Sequence, residues 1–380
     1  MRKNIIFIIL SFFLFVLIAE IIFTLFFVYR QNYYGPLAKL TLNDESKIIE
    51  FRIPHDKSTG RMIPGQHKYK NNIIKINSEG FRGKNFKLEN SNSCRFIALG
   101  GSTTLNINSN LPWTEILQDK IKVNFKKECE VINTGILGAS LNDIENLFFS
   151  KLIKYKPNHI ILLTNHNSAH YDSFTKSTKR TNILKSRFDY LIFKSNNFLF
   201  NNIMSYRFTS LSAKRLSWML FRKKEKLIKN PNHKNVFHSP EYFKSIYKIK
   251  IENIIEYSIK NNINVFLVKQ PRDLEPEIYK QIKNENINEL IMKFIAYDDF
   301  NGIKKNDQEK FDIYSNAILN KNLDLIKEKY REIIVIDPID KFIQNNLSKK
   351  KFLEDKLHYS QAGNYLMADQ IFNAVIKYLK

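Results

Sequence analysis

Two short segments far apart in the chain carry residue types that can do acyl chemistry together. In Arg95–Thr104, RFIALGGSTT, an apolar run stops at two glycines and places Ser102 in the turn that follows. A buried strand, a glycine turn, a serine and then a helical pattern is how an α/β sheet presents a nucleophile at its C-terminal edge. The helix start behind such a serine supplies backbone N–H groups where an oxyanion would form. In Glu354–Asn364, EDKLHYSQAGN, Asp355 and His358 stand three apart, so both side chains project to the same side of a turn. The carboxylate then holds one imidazole nitrogen while the other faces a serine hydroxyl. Each segment alone is also explained by turn and capping chemistry, with a Ser or Thr N-cap in the first and a capping Asp beside a surface His in the second.

Two further blocks lie between them. Asn133–Ser140, NTGILGAS, follows a second apolar run, and Asn165-His166-Asn167-Ser168 follows the run HIILLT. With Gly100-Gly101-Ser102-Thr103-Thr104 and Asp355-Lys356-Leu357-His358, these four blocks in this order resemble the SGNH (GDSL-like) hydrolases, over roughly residues 70–380. The resemblance implies a three-layer, flavodoxin-like α/β sandwich around a five-stranded parallel sheet. It implies Ser102 as nucleophile, His358 as base and Asp355 as its orienting partner. The oxyanion hole would comprise the Ser102 and Gly138 N–H groups and the Asn167 amide, with no cofactor and no metal. Three positions depart from the family pattern: Gly101 stands where Asp is frequent, Asn165 replaces a Gly and Ser168 replaces the final Asp of the third block.

The elements that must position these residues follow from periodicity. Strands at 95–99, 130–134, 159–164, 263–268 and 332–336 alternate with helical patterns near 110–127, 141–155, 240–261, 308–330 and 360–379. Such alternation implies βαβ units and a parallel sheet covered on both faces. Ser102, Gly138 and Asn167 then fall at strand C-terminal ends, where open α/β sheets bind ligands. Cys94 and Cys129 precede the first two strands. If those strands are neighbours, a disulfide is within reach, and two buried free thiols are the alternative.

Ahead of this domain (residues 94–380) the chain has two other parts. Ile5–Tyr29 is almost unbroken Ile, Leu, Phe and Val with Glu20 as its one ionisable residue. That is long enough to span a bilayer, which takes roughly 20 residues. With no small-residue cleavage site after it, residues 1–30 are expected to be an uncleaved signal anchor. Arg2 and Lys3 put the N-terminus in the cytoplasm and the domain at the cell surface or in the periplasm. Residues 31–93, rich in Pro and Gly, read as a stalk with accessory strands, ending in Asn77–Gly83, NSEGFRG, a turn also similar to the lead-in of membrane-anchored SGNH proteins.

The formal charge is +23, from 60 Lys and Arg against 37 Asp and Glu. The basic residues are dispersed, no nucleic-acid motif accompanies them, and Lys, Asn and Ile enrichment is what AT-rich coding produces; the remaining reading is attraction to anionic headgroups or acidic glycan. An insertion at about 169–238 contains the basic, Trp218-bearing stretch Phe208–Leu227, which fits an interfacial helix, a lid or a helix packed on the core. His166, His170 and Asp172 have metal-like spacing but no third strong ligand on a common helix. The expected function is a tethered serine esterase acting on O-acyl, above all acetyl, groups of surface or exported glycan. An O-acyltransferase with the same triad, a lipid esterase and a non-catalytic glycan-binding module are the alternatives.

Overall fold

The computed structural model describes residues 2–31, 48–50, 62, 64–88, 94–125, 129–163, 167–168, 203, 209, 212–213, 246–298, 305–344 and 352–379. Among these, five strands form one parallel sheet: β4 (Arg95–Gly100), β5 (Glu130–Asn133), β6 (His159–Leu163), β7 (Asn264–Val268) and β8 (Ile334–Ile336), in the order β5-β4-β6-β7-β8. Three shorter strands, β1 (Ile48–Glu50), β2 (Gly65–Tyr69) and β3 (Asn72–Ile76), form a second sheet.

Alternation along the strands sorts the core into two layers. Ile97, Leu99, Ile132, Ile160, Leu162, Val265 and Leu267 face one side, against α4 (Leu141–Ser150), α5 (Tyr247–Lys260) and α8 (Lys305–Lys329). Phe96, Ala98, Val131, Ile161, Leu163, Phe266, Val268 and Ile336 face the other, against α3 (Trp113–Phe125), α9 (Ile339–Gln344) and α10 (Gln361–Val375). Strands buried on both faces read as continuous apolar runs, which is why they were readable. The remaining helices are α1 (Arg2–Gln31), the single turn α2 (Ser102–Leu105), and α6 and α7 (Pro276–Asn284 and Ile287–Asp298). The expected helix at 141–155 breaks after Ser150 and finishes as a 3₁₀ turn, Leu152–Tyr155.

The strand order reverses at β4, with β5 on one flank and β6 on the other. Such a switch point opens a crevice at the C-terminal ends of the strands. At the opposite end, the Arg95↔Glu130 register brings Cys94 and Cys129 together, and they form a disulfide with Cα atoms 4.8 Å apart.

Helix α1 exposes Phe7, Phe12, Phe13 and Phe15. Among the described residues no helix is long and apolar enough to cross a membrane. The side chains described on α1 are those of Phe7, Ile8 and Leu10–Leu25, a shorter stretch than the Ile5–Tyr29 run of the sequence. Most of the 169–238 insertion, with His170, Asp172 and Trp218, and also Asn165 and His166, lies outside the described residues.

Candidate active site

The C-terminal ends of β4, β5 and β6 deliver three loops to the crevice. After β4 the chain turns at once, and glycine is required there by space: a Cβ on Gly100 would stand 2.5 Å from the Leu163 carbonyl oxygen of β6. Ser102 opens α2, where the first N–H groups of a helix have no intrahelical acceptor. After β5, the Gly135 backbone packs so closely on α2 that a Cβ would lie 2.8 Å from Leu105 Cα and from the Thr104 carbonyl carbon. Gly138 follows with φ of +66°, a left-handed conformation natural to glycine, and Ser140 caps α4 through a reciprocal box with Asp143. After β6, Asn167 reaches the same turn: a Cβ on Gly101 would sit 2.8 Å from Asn167 Nδ2 and 3.5 Å from the Ala139 carbonyl oxygen. A glycine at 101 thus makes the room that the Asn167 amide occupies beside Ser102.

The fourth block arrives from the far end of the chain. Ser102 Oγ donates to His358 Nε2 at 2.8 Å, and His358 Nδ1 donates to Asp355 Oδ2 at 2.7 Å. The other carboxylate oxygen, Asp355 Oδ1, accepts the backbone N–H groups of Leu357 and His358, each at 2.8 Å. Burial pushes the Asp355 carboxyl up, but the His358 ring, these two N–H bonds and the attraction of the imidazole outweigh it, holding the group well below the usual carboxylate range. The turn itself is held by the Leu353↔Tyr359 bridge, by Glu354 N–H donating to the His358 carbonyl, and by Asp273 N–H donating to the Lys356 carbonyl at 3.0 Å. His358 keeps 26% and Asp355 53% of its side chain exposed, so the triad opens to solvent.

The structure therefore brings Ser102, His358 and Asp355 into one hydrogen-bonded line, and sets Gly138 and Asn167 in the two loops that abut the Ser102 turn. Such an arrangement can transfer a proton from a serine hydroxyl and hold a developing oxyanion. Replacement of Asn167 by Ala is expected to lower kcat for an ester by roughly 10²–10³-fold with KM little changed; steady-state kinetics would check it, and an unaltered kcat would remove Asn167 from the oxyanion hole.

Several buried polar residues to which the sequence assigned no role tie the loops together. Ser168 Oγ accepts the Leu141 N–H at 3.1 Å, joining the third block to the start of α4. Asn133 Nδ2 donates to the Thr104 carbonyl at 2.7 Å and its Oδ1 accepts the Gly135 N–H. Asn106 Nδ2 donates to Asn364 Oδ1 at 2.6 Å, and that oxygen also accepts the Trp113 N–H. The signal for Asn364 was its place in the Gly363-Asn364 pair just after the Asp355–His358 block, and that for Ser168 its departure from the family pattern.

No protein-family model and no curated protein matches the chain. Among solved structures, it is similar to a lipase/acylhydrolase from Enterococcus faecalis, at 14% identity over 76% of this chain and 97% of that one, with a TM-score of 0.41. A catalytic mutant of an acetylxylan esterase from Geobacillus stearothermophilus matches at 11% identity over 74% and 93%, with a TM-score of 0.41. A putative lipolytic protein of the G-D-S-L family from Desulfitobacterium hafniense matches at 13% identity over 73% and 98%, with a TM-score of 0.37.

Proposed function

We propose that this protein is a membrane-tethered serine esterase of SGNH type that removes O-acyl groups, acetyl first among them, from a cell-surface or exported glycan. The observation that carries the reading is the unbroken Asp355–His358–Ser102 line, with hydrogen bonds of 2.7 and 2.8 Å. Ser102 attacks the ester carbonyl while His358 takes its proton, and Asp355 stabilises the imidazolium. The oxyanion is held by the Ser102 and Gly138 N–H groups and the Asn167 amide. His358 then returns the proton to the leaving alcohol, and water, activated by the same imidazole, releases the acid.

Two features support the location. Ile5–Tyr29 has the length and composition of a span, with Arg2 and Lys3 favouring a cytoplasmic N-terminus. The Cys94–Cys129 disulfide suits an oxidising compartment outside the cytoplasm.

One assay tests both halves. Membrane and soluble fractions of cells producing the full chain are compared for p-nitrophenyl acetate turnover and for acetate release from acetylated glycan. Activity on both esters confined to the membrane fraction is the expected result. Activity in the soluble fraction alone would overturn the anchor, and a folded chain inert toward both esters would overturn the esterase.

A further inference from the structure

Arg82 lies outside the four blocks, in the Asn77–Gly83 turn ahead of β4, and the residue is 3% exposed. Its guanidinium runs beneath the loop that leaves the Ser102 turn. Nη1 donates to the Leu105 carbonyl at 2.8 Å and to the Asn106 carbonyl, and Nη2 donates to the Ser109 and Asn110 carbonyls at 2.6 and 2.9 Å. The Leu105 carbonyl closes α2, where helix carbonyls lack intrahelical partners. Asn106 adopts a left-handed conformation, φ +49°, and its N–H donates to the Ser102 carbonyl at 2.7 Å. The residue that Arg82 grips is thus the one that shuts the nucleophile's turn.

The Arg82 backbone makes a second connection. It forms an antiparallel bridge with Asn133, whose side chain holds the Thr104 carbonyl and whose chain runs on to Gly138. Burying a guanidinium is costly unless its donors are satisfied. Here the fork is spread over four carbonyls of one loop, a geometry that a lysine ammonium does not reproduce. Burial lowers its pKa to about 10, against the opposing pull of Glu115, so it stays charged at neutral pH.

Resting on the esterase reading above, we infer that Arg82 is a positioning residue for the reaction: it sets the Ser102 turn and the Asn133–Ser140 loop relative to each other without touching the substrate. A misplacement of about 1 Å at a distance from the chemistry can cost on the order of 10²-fold. That is the loss expected in kcat for Arg82→Ala, with KM unchanged. Arg82→Lys keeps the charge and fills the space but is expected to recover little of it.

The test uses the full chain in detergent, with wild type, R82A and R82K compared for p-nitrophenyl acetate kinetics, Ser102 labelling by a fluorophosphonate, and thermal unfolding. Guanidinium chloride far below denaturing concentrations is then added to each. The expected result is folded variants with low kcat, normal KM and slow labelling, with R82A alone regaining turnover on addition of guanidinium. A folded R82A with wild-type kcat overturns the inference. So does one whose loss falls in KM or is untouched by guanidinium, since Arg82 would then serve the fold alone. Variants that no longer fold overturn it as well, because the loss is confined here to the turn. A wild type that neither hydrolyses the ester nor takes the label fails the esterase reading itself, a result distinct from any of these.

Discussion

Replacing Ser102 or His358 by Ala is expected to lower ester turnover by roughly 10⁴–10⁶-fold, with the double variant no worse than the worse single one. Non-additivity is the informative part, since the two side chains share one hydrogen bond, Ser102 Oγ to His358 Nε2 at 2.8 Å, and act as a unit. Steady-state kinetics of the three variants provide the measurement. Losses that multiply in the double variant would mean that the two residues act separately and would sink the triad. The pH profile of kcat/KM, taken over about pH 5 to 8, gives a second view. Asp355 is held below the ordinary carboxylate range, so it stays ionised throughout. Its contribution to folding is present above the pKa of an unfolded Asp, about 3.9, and is lost only as pH falls from there through the depressed folded value. No part of the activity limb at neutral pH should therefore reflect unfolding driven by this carboxylate.

Removing the Cys94–Cys129 disulfide is expected to act on stability and leave the chemistry alone. The bridge spans 35 residues, and loop-closure entropy for that separation gives about 4 kcal/mol. Cys94 lies just before β4 and Ser102 just beyond its end, so the whole six-residue strand, roughly 20 Å long at about 3.3 Å per residue, separates them. The C94A/C129A double variant should then unfold at lower urea while its kcat, measured well below the transition, stays near wild type. Equal urea midpoints for the two proteins would show that the bridge contributes nothing.

The sheet was readable from sequence because its strands are buried on both faces. Phe96–Leu99 and Ile160–Leu163 are at most 2% exposed, so each reads as an apolar run of strand length. Helices α6 and α7 were not read: Pro276–Asn284 is amphipathic, but it buries only Ile282 and is so polar overall that it resembles a loop in sequence. The two ends of the candidate site were readable because serine, histidine and aspartate sit in short blocks with local turn chemistry. The framework between them was not. Asn106 and Asn364 meet across 258 residues, and Arg82 sits in a turn where an exposed arginine would look the same in sequence. Such contacts follow from tertiary geometry alone, and no local period announces them.

The hydrogen bond between Ser102 and His358 joins residues 256 apart in sequence. A chain made from its N-terminus therefore contains Ser102 long before the histidine that accepts its hydrogen bond. A chain that stops between Ile336 and Asp355 carries all five strands of the parallel sheet but lacks both residues of the hydrogen-bonded line to Ser102.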